Sequence, residues 1–139
     1  MAVRYNKKRH DYGIKKEELL KPLLEAFCEE PLTKTGKFYD VMDFVSDSYY
    51  VELKSRTEQY RPEDYDTWLL PCCKGTEAKK NSHKRTLFFY YFSSTKELYV
   101  LEYDEKLFGT FKREVPSWHK EKQEHYYIPS SEFSLIVFE

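Results

Sequence analysis

The sequence predicts a mixed α/β fold in which a central β-sheet is flanked by helices. One amphipathic helical pattern precedes two strand-like segments that form a hairpin, and a second helical segment precedes further strands. This alternation of helices and strands is typical of α/β domains. A length of 139 residues suits one domain, which we predict over residues 14–139, behind a polar arm over residues 1–13.

The first helix is predicted over residues 14–30, where apolar side chains recur at helical spacing. They form one stripe: Leu19, Leu20, Leu23, Leu24, Phe27 and Cys28. Pro22 lies inside this pattern and predicts either a kink or a later helix start. Pro31 and Gly36 mark the exit from the helix.

Two strands are predicted next, over residues 37–45 (KFYDVMDFV) and 49–54 (YYVELK). The polar residues 46–48 between them predict a hairpin turn. A second helix is predicted over residues 68–80, begun or broken near Pro71. Four later strands are then expected, the first two paired across residues 93–96: LFFYYF, ELYVLEY, HYYIP and FSLIVF.

Composition excludes several classes of protein. No apolar run approaches the roughly 18 residues of a membrane span, and residues 1–10 lack the apolar region of a secretory signal. We therefore expect a soluble intracellular protein without a membrane partner, in the host cytoplasm or nucleus if it is viral. The net charge is −1, but basic residues concentrate in residues 1–16 and 54–86. These segments predict either a basic face or ordinary solvated surface.

Asp43, Glu52 and Lys54 are the residues that point to chemistry. Side chains alternate along a strand, so Glu52 and Lys54 share one face while Leu53 faces the other. The hairpin brings Asp43 close to Glu52. Paired carboxylates suit a hard cation such as Mg²⁺, and a nearby lysine can orient a water or offset phosphoryl charge. The alternative is that these are ordinary surface charges of an exposed strand.

The segment DFVSDSYYVELKSR resembles the second and third motifs of the PD-(D/E)XK nucleases, the restriction-endonuclease-like superfamily. Residues ELKSR, then Tyr65, Thr67 and Lys74, are similar to small nuclease-like proteins of large DNA viruses and phages. The resemblance covers roughly residues 18–103 and implies a core of helix, three-stranded meander, helix and strand. Cys73 and Pro71 depart from the family pattern at the expected start of the second helix.

The resemblance implies that Asp43 and Glu52 bind Mg²⁺ or Mn²⁺, with the Leu53 carbonyl as a backbone ligand. Lys54 would lie by the nucleophilic water. Many members add a glutamate from the first helix, for which the order of preference is Glu18, Glu17 and Glu25. Asp40 is the rival of Asp43, which is preferred.

Nucleic-acid contacts are expected from a second group of side chains: Ser55, Arg56, Tyr65, Thr67 and Lys74. Arg56 could clamp a phosphate or form a structural ion pair, and Lys74 could approach the scissile phosphate or lie on the surface. Tyr60, Tyr65 and Trp68 could stack on bases, although for Trp68 a core role is favoured.

The leading hypothesis is therefore a Mg²⁺- or Mn²⁺-dependent nuclease, with DNA favoured over RNA as its substrate and roles in viral or phage replication, repair or recombination. One alternative is an RNA endonuclease with the same site. Others are a non-catalytic nucleic-acid-binding protein or an interaction protein of the same fold. A homodimer that cuts both strands is compatible with the length, but no segment identifies an interface.

Overall fold

The computed structural model describes residues 7–35 and 42–138. Its helices are α1 (Lys7–Cys28), α2 (Cys72–Lys80) and α3 (Glu105–Phe108), with 3-10 turns at Pro62–Asp64 and Ser130–Glu132. Its strands are β1 (Thr33–Lys34), β2 (Phe44–Val45), β3 (Tyr49–Arg56), β4 (Thr67–Pro71), β5 (Arg85–Phe92), β6 (Glu97–Glu102), β7 (Lys112–Glu114), β8 (His125–Pro129) and β9 (Ser134–Ile136).

A six-stranded mixed sheet in the order β1-β2-β3-β5-β6-β9 forms the centre of the fold, and a three-stranded sheet in the order β4-β8-β7 packs beside it. The sequence-based prediction of a central mixed sheet flanked by helices is confirmed. Short elements with weak sequence signals were missed: β1, α3 and β7. Among the described residues, no helix is long and apolar enough to cross a membrane.

Helix α1 spans Lys7–Cys28, so helical structure is present before residue 14, where the sequence predicted the helix to start. It continues through Pro22 to Cys28. Only half of the predicted apolar stripe is buried: Leu20, Leu24 and Cys28 face the sheet, whereas Leu19, Leu23 and Phe27 keep 62%, 37% and 41% of their surface exposed. The stripe is wider than the contact because a helix buries only one narrow face against a sheet.

The predicted hairpin between β2 and β3 is confirmed, with Phe44 opposite Val51 and Val45 opposite Tyr50. Of the first predicted strand, only residues 42–45 can be compared, since residues 36–41, including Asp40, lie outside the described residues. Glu30, just after α1, holds the turn: it accepts hydrogen bonds from Ser46 Oγ (2.6 Å), Ser48 N (3.0 Å) and Ser48 Oγ (2.6 Å). These bonds lower the pKa of Glu30.

Strand β3 pairs in parallel with β5, from Tyr49 opposite Arg85 to Arg56 opposite Phe92. Parallel neighbours need a long crossover, which β4 and α2 supply. The helix predicted over residues 68–80 is therefore wrong in its first part, since residues 67–71 form β4 against β8. Trp68 and Leu70 are buried while the residues between and around them are partly exposed, a period of two that belongs to a strand.

Two hydrophobic cores lie on opposite faces of the large sheet. One packs Leu20, Leu24 and Cys28 of α1 on one set of alternate strand residues: Val51, Leu53, Leu87 and Phe89. The other packs the small sheet and α2 on the intervening residues Phe88, Tyr90 and Phe92. Trp68 belongs to this second core, as favoured from the sequence, and its ring stacks at 5.6 Å on Tyr90. The site-bearing residues of β3 must fit between these two layers.

Candidate active site

Glu52 and Lys54 lie on the β3 face that carries Phe88 and Tyr90 on the neighbouring strand, since Glu52 is opposite Phe88 and Lys54 is opposite Tyr90. Leu53 points to the other face and belongs to the α1 core. Glu52 is only 5% exposed. A carboxylate at such a position is costly unless it is neutralised or bound. The alternation predicted from the sequence thus places Glu52 and Lys54 together, inside the protein rather than on an exposed strand.

Asp43 lies immediately before β2, at the point where regular pairing with β3 stops. Its backbone N–H still donates to Val51 O at 2.9 Å, and its carboxylate Oδ2 accepts the N–H of Leu53 at 2.8 Å. The side chain therefore replaces the next backbone partner of the ladder. Because N–H and C=O of one strand residue point to the same side, the Leu53 carbonyl is also directed toward the Asp43 side of β3.

Lys74, in the first turn of α2, is the cation of the site. Its Nζ lies 2.6 Å from Glu52 Oε2, and its side chain is only 15% exposed. The reading of Lys74 as a free surface lysine is therefore excluded. The ion pair with Lys74 thus supplies the charge partner that a buried carboxylate needs.

The glutamate of the first helix that reaches the site is Glu17, not Glu18. Glu18 is exposed, whereas Glu17 is half-buried, hydrogen-bonds to Asp43 and lies 3.4 Å from Lys34 Nζ. The preference for Glu18 was wrong because the helical face toward Asp43 is one residue away. Glu25, the third candidate, has a structural role: its Oε2 accepts the N–H of Leu32 at 2.8 Å.

Two carboxyl groups of the site, those of Glu52 and Glu17, have raised pKa values. Burial, and then the negative charge of Asp43, raises the pKa of Glu52 to about 8, although Lys54 and Lys74 act in the opposite direction. Burial and then Asp43 also raise the pKa of Glu17 to about 7. Burial lowers the pKa of Lys54, with Glu52 opposing this and Lys74 reinforcing it. Such shifts are common where acid–base or metal chemistry is performed.

The other predicted contact residues are distributed unequally. Arg56 lies on the Glu52 face, with its guanidinium 6.0 Å from the Tyr90 ring centre. Ser55 alternates to the opposite face with Leu53, so the structure does not bring it to Lys54. Tyr65 is exposed, and Thr67 begins β4 opposite Pro129. Their part in nucleic-acid binding stays a prediction.

His125 lies near this site although no spacing in the sequence singled it out. It begins β8 opposite Pro71, the residue that precedes α2, and it is 6% exposed. Burial lowers the pKa of His125, and the charge of Lys54 contributes to the same shift. The signal was absent from the sequence because the β4–β8 pairing joins segments more than fifty residues apart.

The donor set fits a hard divalent cation. No group of three or more His, Cys, Asp or Glu side chains is gathered around a common metal position in residues 7–35 and 42–138. Mg²⁺, however, is commonly held by one or two carboxylates, with waters and phosphate oxygens completing its shell. Asp43, Glu52 and the carbonyl of Leu53 supply oxygen ligands of this kind, and a cation at Glu52 would take the place that Lys74 holds.

Comparison with solved structures shows a likeness of fold. No protein-family model matches the chain, and no curated protein matches it. Among solved structures, a nuclease from a fusselovirus is similar, with a TM-score of 0.55 and 14% identity over 96% of this chain and 90% of that one. At this identity the likeness concerns the fold alone: the chain shares its mixed α/β architecture with that nuclease.

Proposed function

We propose that this protein is a divalent-metal-dependent nuclease of the PD-(D/E)XK type that hydrolyses phosphodiester bonds. The observation that carries the proposal is the buried Glu52 carboxylate. Burial and the charge of Asp43 raise its pKa, and the carboxylate faces Lys54 and Lys74. Placing Asp43, Glu52, Lys54 and Lys74 together costs stability. Clusters of this kind are therefore common at functional sites. The fold shared with a fusselovirus nuclease supports this choice over other metal-dependent hydrolases.

Asp43, Glu52 and the carbonyl of Leu53 would hold a Mg²⁺ or Mn²⁺ ion. When bound, such an ion stabilises negative charge on a phosphoryl group and lowers the pKa of water. The hydrogen bond from Leu53 N–H fixes one oxygen of Asp43. Lys74 neutralises Glu52 in the absence of the ion, which keeps the two carboxylates together although they repel.

The lysines act on the phosphate and the water. Lys54 is on the same strand face as Glu52, two residues further, so its Nζ can donate hydrogen bonds to an attacking water or to a non-bridging phosphate oxygen. Water attack forms the new P–O bond while the bond to the leaving oxygen breaks. The water gives up one proton to solvent, and the leaving oxygen takes one proton. Once a bound cation would balance the charge of Glu52, Lys74 can move from Glu52 toward a phosphate oxygen of the substrate.

Glu17 completes the acidic side of the site through its hydrogen bond to Asp43. With a pKa of about 7 it can share a proton with Asp43 when the site is empty of cations and release it when a cation arrives. We propose that it positions Asp43, in place of Glu18. Lys34, 3.4 Å from Glu17, limits the charge that builds up there.

A cleavage assay on matched DNA and RNA substrates tests the proposal: single strands, duplexes, flaps and junctions, each with Mg²⁺, Mn²⁺, Ca²⁺ or EDTA. We expect cleavage with Mg²⁺ or Mn²⁺, none with EDTA, and a preference for DNA. Ca²⁺ should support binding without turnover, because its looser geometry places the water poorly. Equal degradation in EDTA would contradict the metal-dependent nuclease. Absence of both metal binding and cleavage would favour an interaction protein with this fold.

Substrate contact is tested separately from cleavage by salt titration. Arg56→Ala should weaken binding and reduce the slope of log K against log salt by about 0.9 on duplex DNA, one phosphate contact. Lys106→Ala, a basic residue on the exposed α3, is the control and should leave the slope unchanged. Identical slopes for Arg56→Ala and the wild type would remove Arg56 from the binding surface.

A further inference from the structure

A cluster of three aromatic rings lies beside the carboxylate site and has no part in the mechanism above. The ring of Trp118 is 5.6 Å from that of His119 and 6.3 Å from that of His125, and the two histidine rings are 4.9 Å apart. We call these three residues the aromatic cluster. His125 is its buried floor, and Trp118 is its outer face.

Trp118 is 67% exposed, the highest value of any large aromatic residue among those described as exposed. The other tryptophan, Trp68, is 6% exposed in the second core. An exposed tryptophan on a charged loop leaves a large apolar surface in water with no gain in folding. The two imidazole rings beside Trp118 are flat and partly polar. Such surroundings suit another aromatic ring better than an aliphatic partner.

The loop that carries Trp118 is fixed to the protein by hydrogen bonds. His119 N–H donates to Pro116 O at 3.0 Å, Lys122 N–H donates to His119 O at 3.1 Å, and Gln123 N–H donates to His119 Nδ1 at 3.3 Å. Cys72 N–H, at the start of α2, donates to Glu124 O at 2.9 Å. The aromatic cluster therefore holds a defined position relative to the helix that carries Lys74.

The position of this surface and the charged residues on its loop indicate which kind of partner it fits. His125, the floor of the cluster, pairs with Pro71, the residue that precedes the helix carrying Lys74. The loop itself carries Lys120 and Lys122, both exposed, with the exposed Glu121 between them. An exposed ring with lysines on the same loop is a combination with which proteins bind a nucleic-acid strand: lysines take the phosphates and the ring stacks on a base.

We infer that Trp118 is a stacking platform for an unpaired nucleobase of the strand whose phosphate reaches Lys54. This rests on the proposed function for the path of the strand, and it assigns that function a substrate class: nucleic acid with a single-stranded segment next to the cleaved bond. The rings of His119 and His125 lie beside the tryptophan ring, at 5.6 Å and 6.3 Å.

Binding without cleavage tests the platform. The probe is a short fluorescein-labelled oligothymidylate in EDTA, compared with an abasic strand of the same length and with the corresponding oligouridylate. Trp118→Ala should weaken binding of the oligothymidylate about tenfold, the usual loss for one stacked base, and leave binding of the abasic strand unchanged. Trp118→Phe should restore most of the affinity. Phe138→Ala, which removes an exposed ring from another segment, is the control and should bind as the wild type does.

Tryptophan emission supplies a second reading, because the chain has 2 tryptophans and one of them is buried. Oligothymidylate should quench the wild type and the abasic strand should not, and Trp118→Phe should show no quenching. Similar loss on the DNA and RNA probes supports stacking without sugar selection, whereas loss on one alone assigns the platform to that nucleic acid.

Equal affinity of the wild type and Trp118→Ala for the oligothymidylate would overturn the platform. A wild type that cleaves duplex DNA with Mg²⁺ yet binds no single strand would also overturn it, while leaving the proposed nuclease intact. Base-dependent binding without any metal-dependent cleavage would have the reverse meaning: the platform would stand and the proposed function would fail.

Discussion

Lys74 Nζ lies 2.6 Å from Glu52 Oε2 inside the protein, so one side chain of α2 is tied to the middle of the central strand β3. Removing one member of a buried pair leaves the other charge uncompensated. Lys74→Ala should therefore lower the free energy of unfolding by about 1–3 kcal/mol at pH 8, because Glu52 avoids part of the cost by taking up a proton. Chemical denaturation measures this.

The matched control is Lys79→Ala on the same helix, because Lys79 pairs with Glu105 on the surface at 2.9 Å. We expect a change below about 1 kcal/mol for that variant. Adding Glu52→Gln to Lys74→Ala should recover part of the lost stability, since the unpaired carboxylate is gone. Equal effects of Lys74→Ala and Lys79→Ala would show that the buried pair has no special energetic weight.

Loss of the acids should stop cleavage without unfolding the protein. Asp43→Asn and Glu52→Gln keep size and shape but remove the charges that would hold a cation, so cleavage should fall by about a hundredfold or more. Binding to nucleic acid should persist, because fewer carboxylates repel phosphate. Asp47→Asn, in the exposed hairpin turn, is the control and should remain active. Full activity of Asp43→Asn would rule out the site.

Glu17 and Glu18 form a matched pair of neighbours for testing the helix acid. Glu17→Gln should slow cleavage and raise the Mg²⁺ concentration needed for half-maximal rate, because Glu17 hydrogen-bonds to Asp43. Glu18→Gln should do neither, since its side chain is exposed. Metal titration of initial rates measures both. The opposite ranking of the two variants would return Glu18 to the site.

The comparison of these two residues also shows how far sequence analysis reaches. Strand alternation is a local rule with period two, so it correctly placed Glu52 and Lys54 together and Leu53 in the core. The choice between Glu17 and Glu18 depends on the rotation of a whole helix against the sheet. No pattern within the helix determines that rotation when its apolar stripe is wider than the buried face.

Trp68 marks a second limit. Its segment, TWLLP, reads equally well as the start of a helix or as a buried strand, and the pairing with β8 decides for the strand. That partner lies more than fifty residues later, beyond any local signal. The same distant pairing brings His125 toward Lys54. What the sequence predicts well is local, and what it misses depends on contacts between segments far apart.

The raised carboxylate pKa values predict opposite pH trends for cleavage and stability. Glu52 titrates near 8 when folded and near the ordinary carboxyl value of 4.5 when unfolded, so the folded state binds more protons between these values. Stability from this group is therefore present below about pH 4.5 and is lost as pH rises toward 8. Relative to Glu52→Gln, the wild type should lose several degrees of Tm between pH 5 and 8.

Cleavage should rise over the same interval, because a cation competes with the protons of Glu52 and Glu17. Higher Mg²⁺ should shift the rise to lower pH, a behaviour that a rate limited by nucleic-acid binding would not show. A rate that is flat in pH and insensitive to Mg²⁺ below pH 7 would contradict the coupling of metal and proton.

Gly75 follows Lys74 in α2, and a Cβ at this position would lie 2.5 Å from the hydroxyl and 2.8 Å from Cε2 of Tyr126. Gly75→Ala should therefore destabilise the protein by about 1–3 kcal/mol, although alanine normally favours a helix. It should also slow cleavage by displacing Lys74. Thermal denaturation and initial rates measure the two effects. The double variant with Tyr126→Phe should recover part of the stability, because the nearest clashing atom is absent. A Gly75→Ala protein as stable as the wild type would show that Tyr126 moves away freely.

The hydrogen bonds from Ser46 and Ser48 to Glu30 make the length of the hairpin turn a fixed quantity. The end of α1 holds both sides of the turn, so an inserted residue cannot be absorbed by a looser bend. The extra residue would instead shift the register of β3 by one position, and such a shift exchanges the two faces of the strand. Leu53 would then meet the lysine of α2, and Glu52 would face the leucines of α1. Insertions and deletions within residues 46–48 should therefore be among the least tolerated changes in this chain, although the turn itself contains no residue of the site.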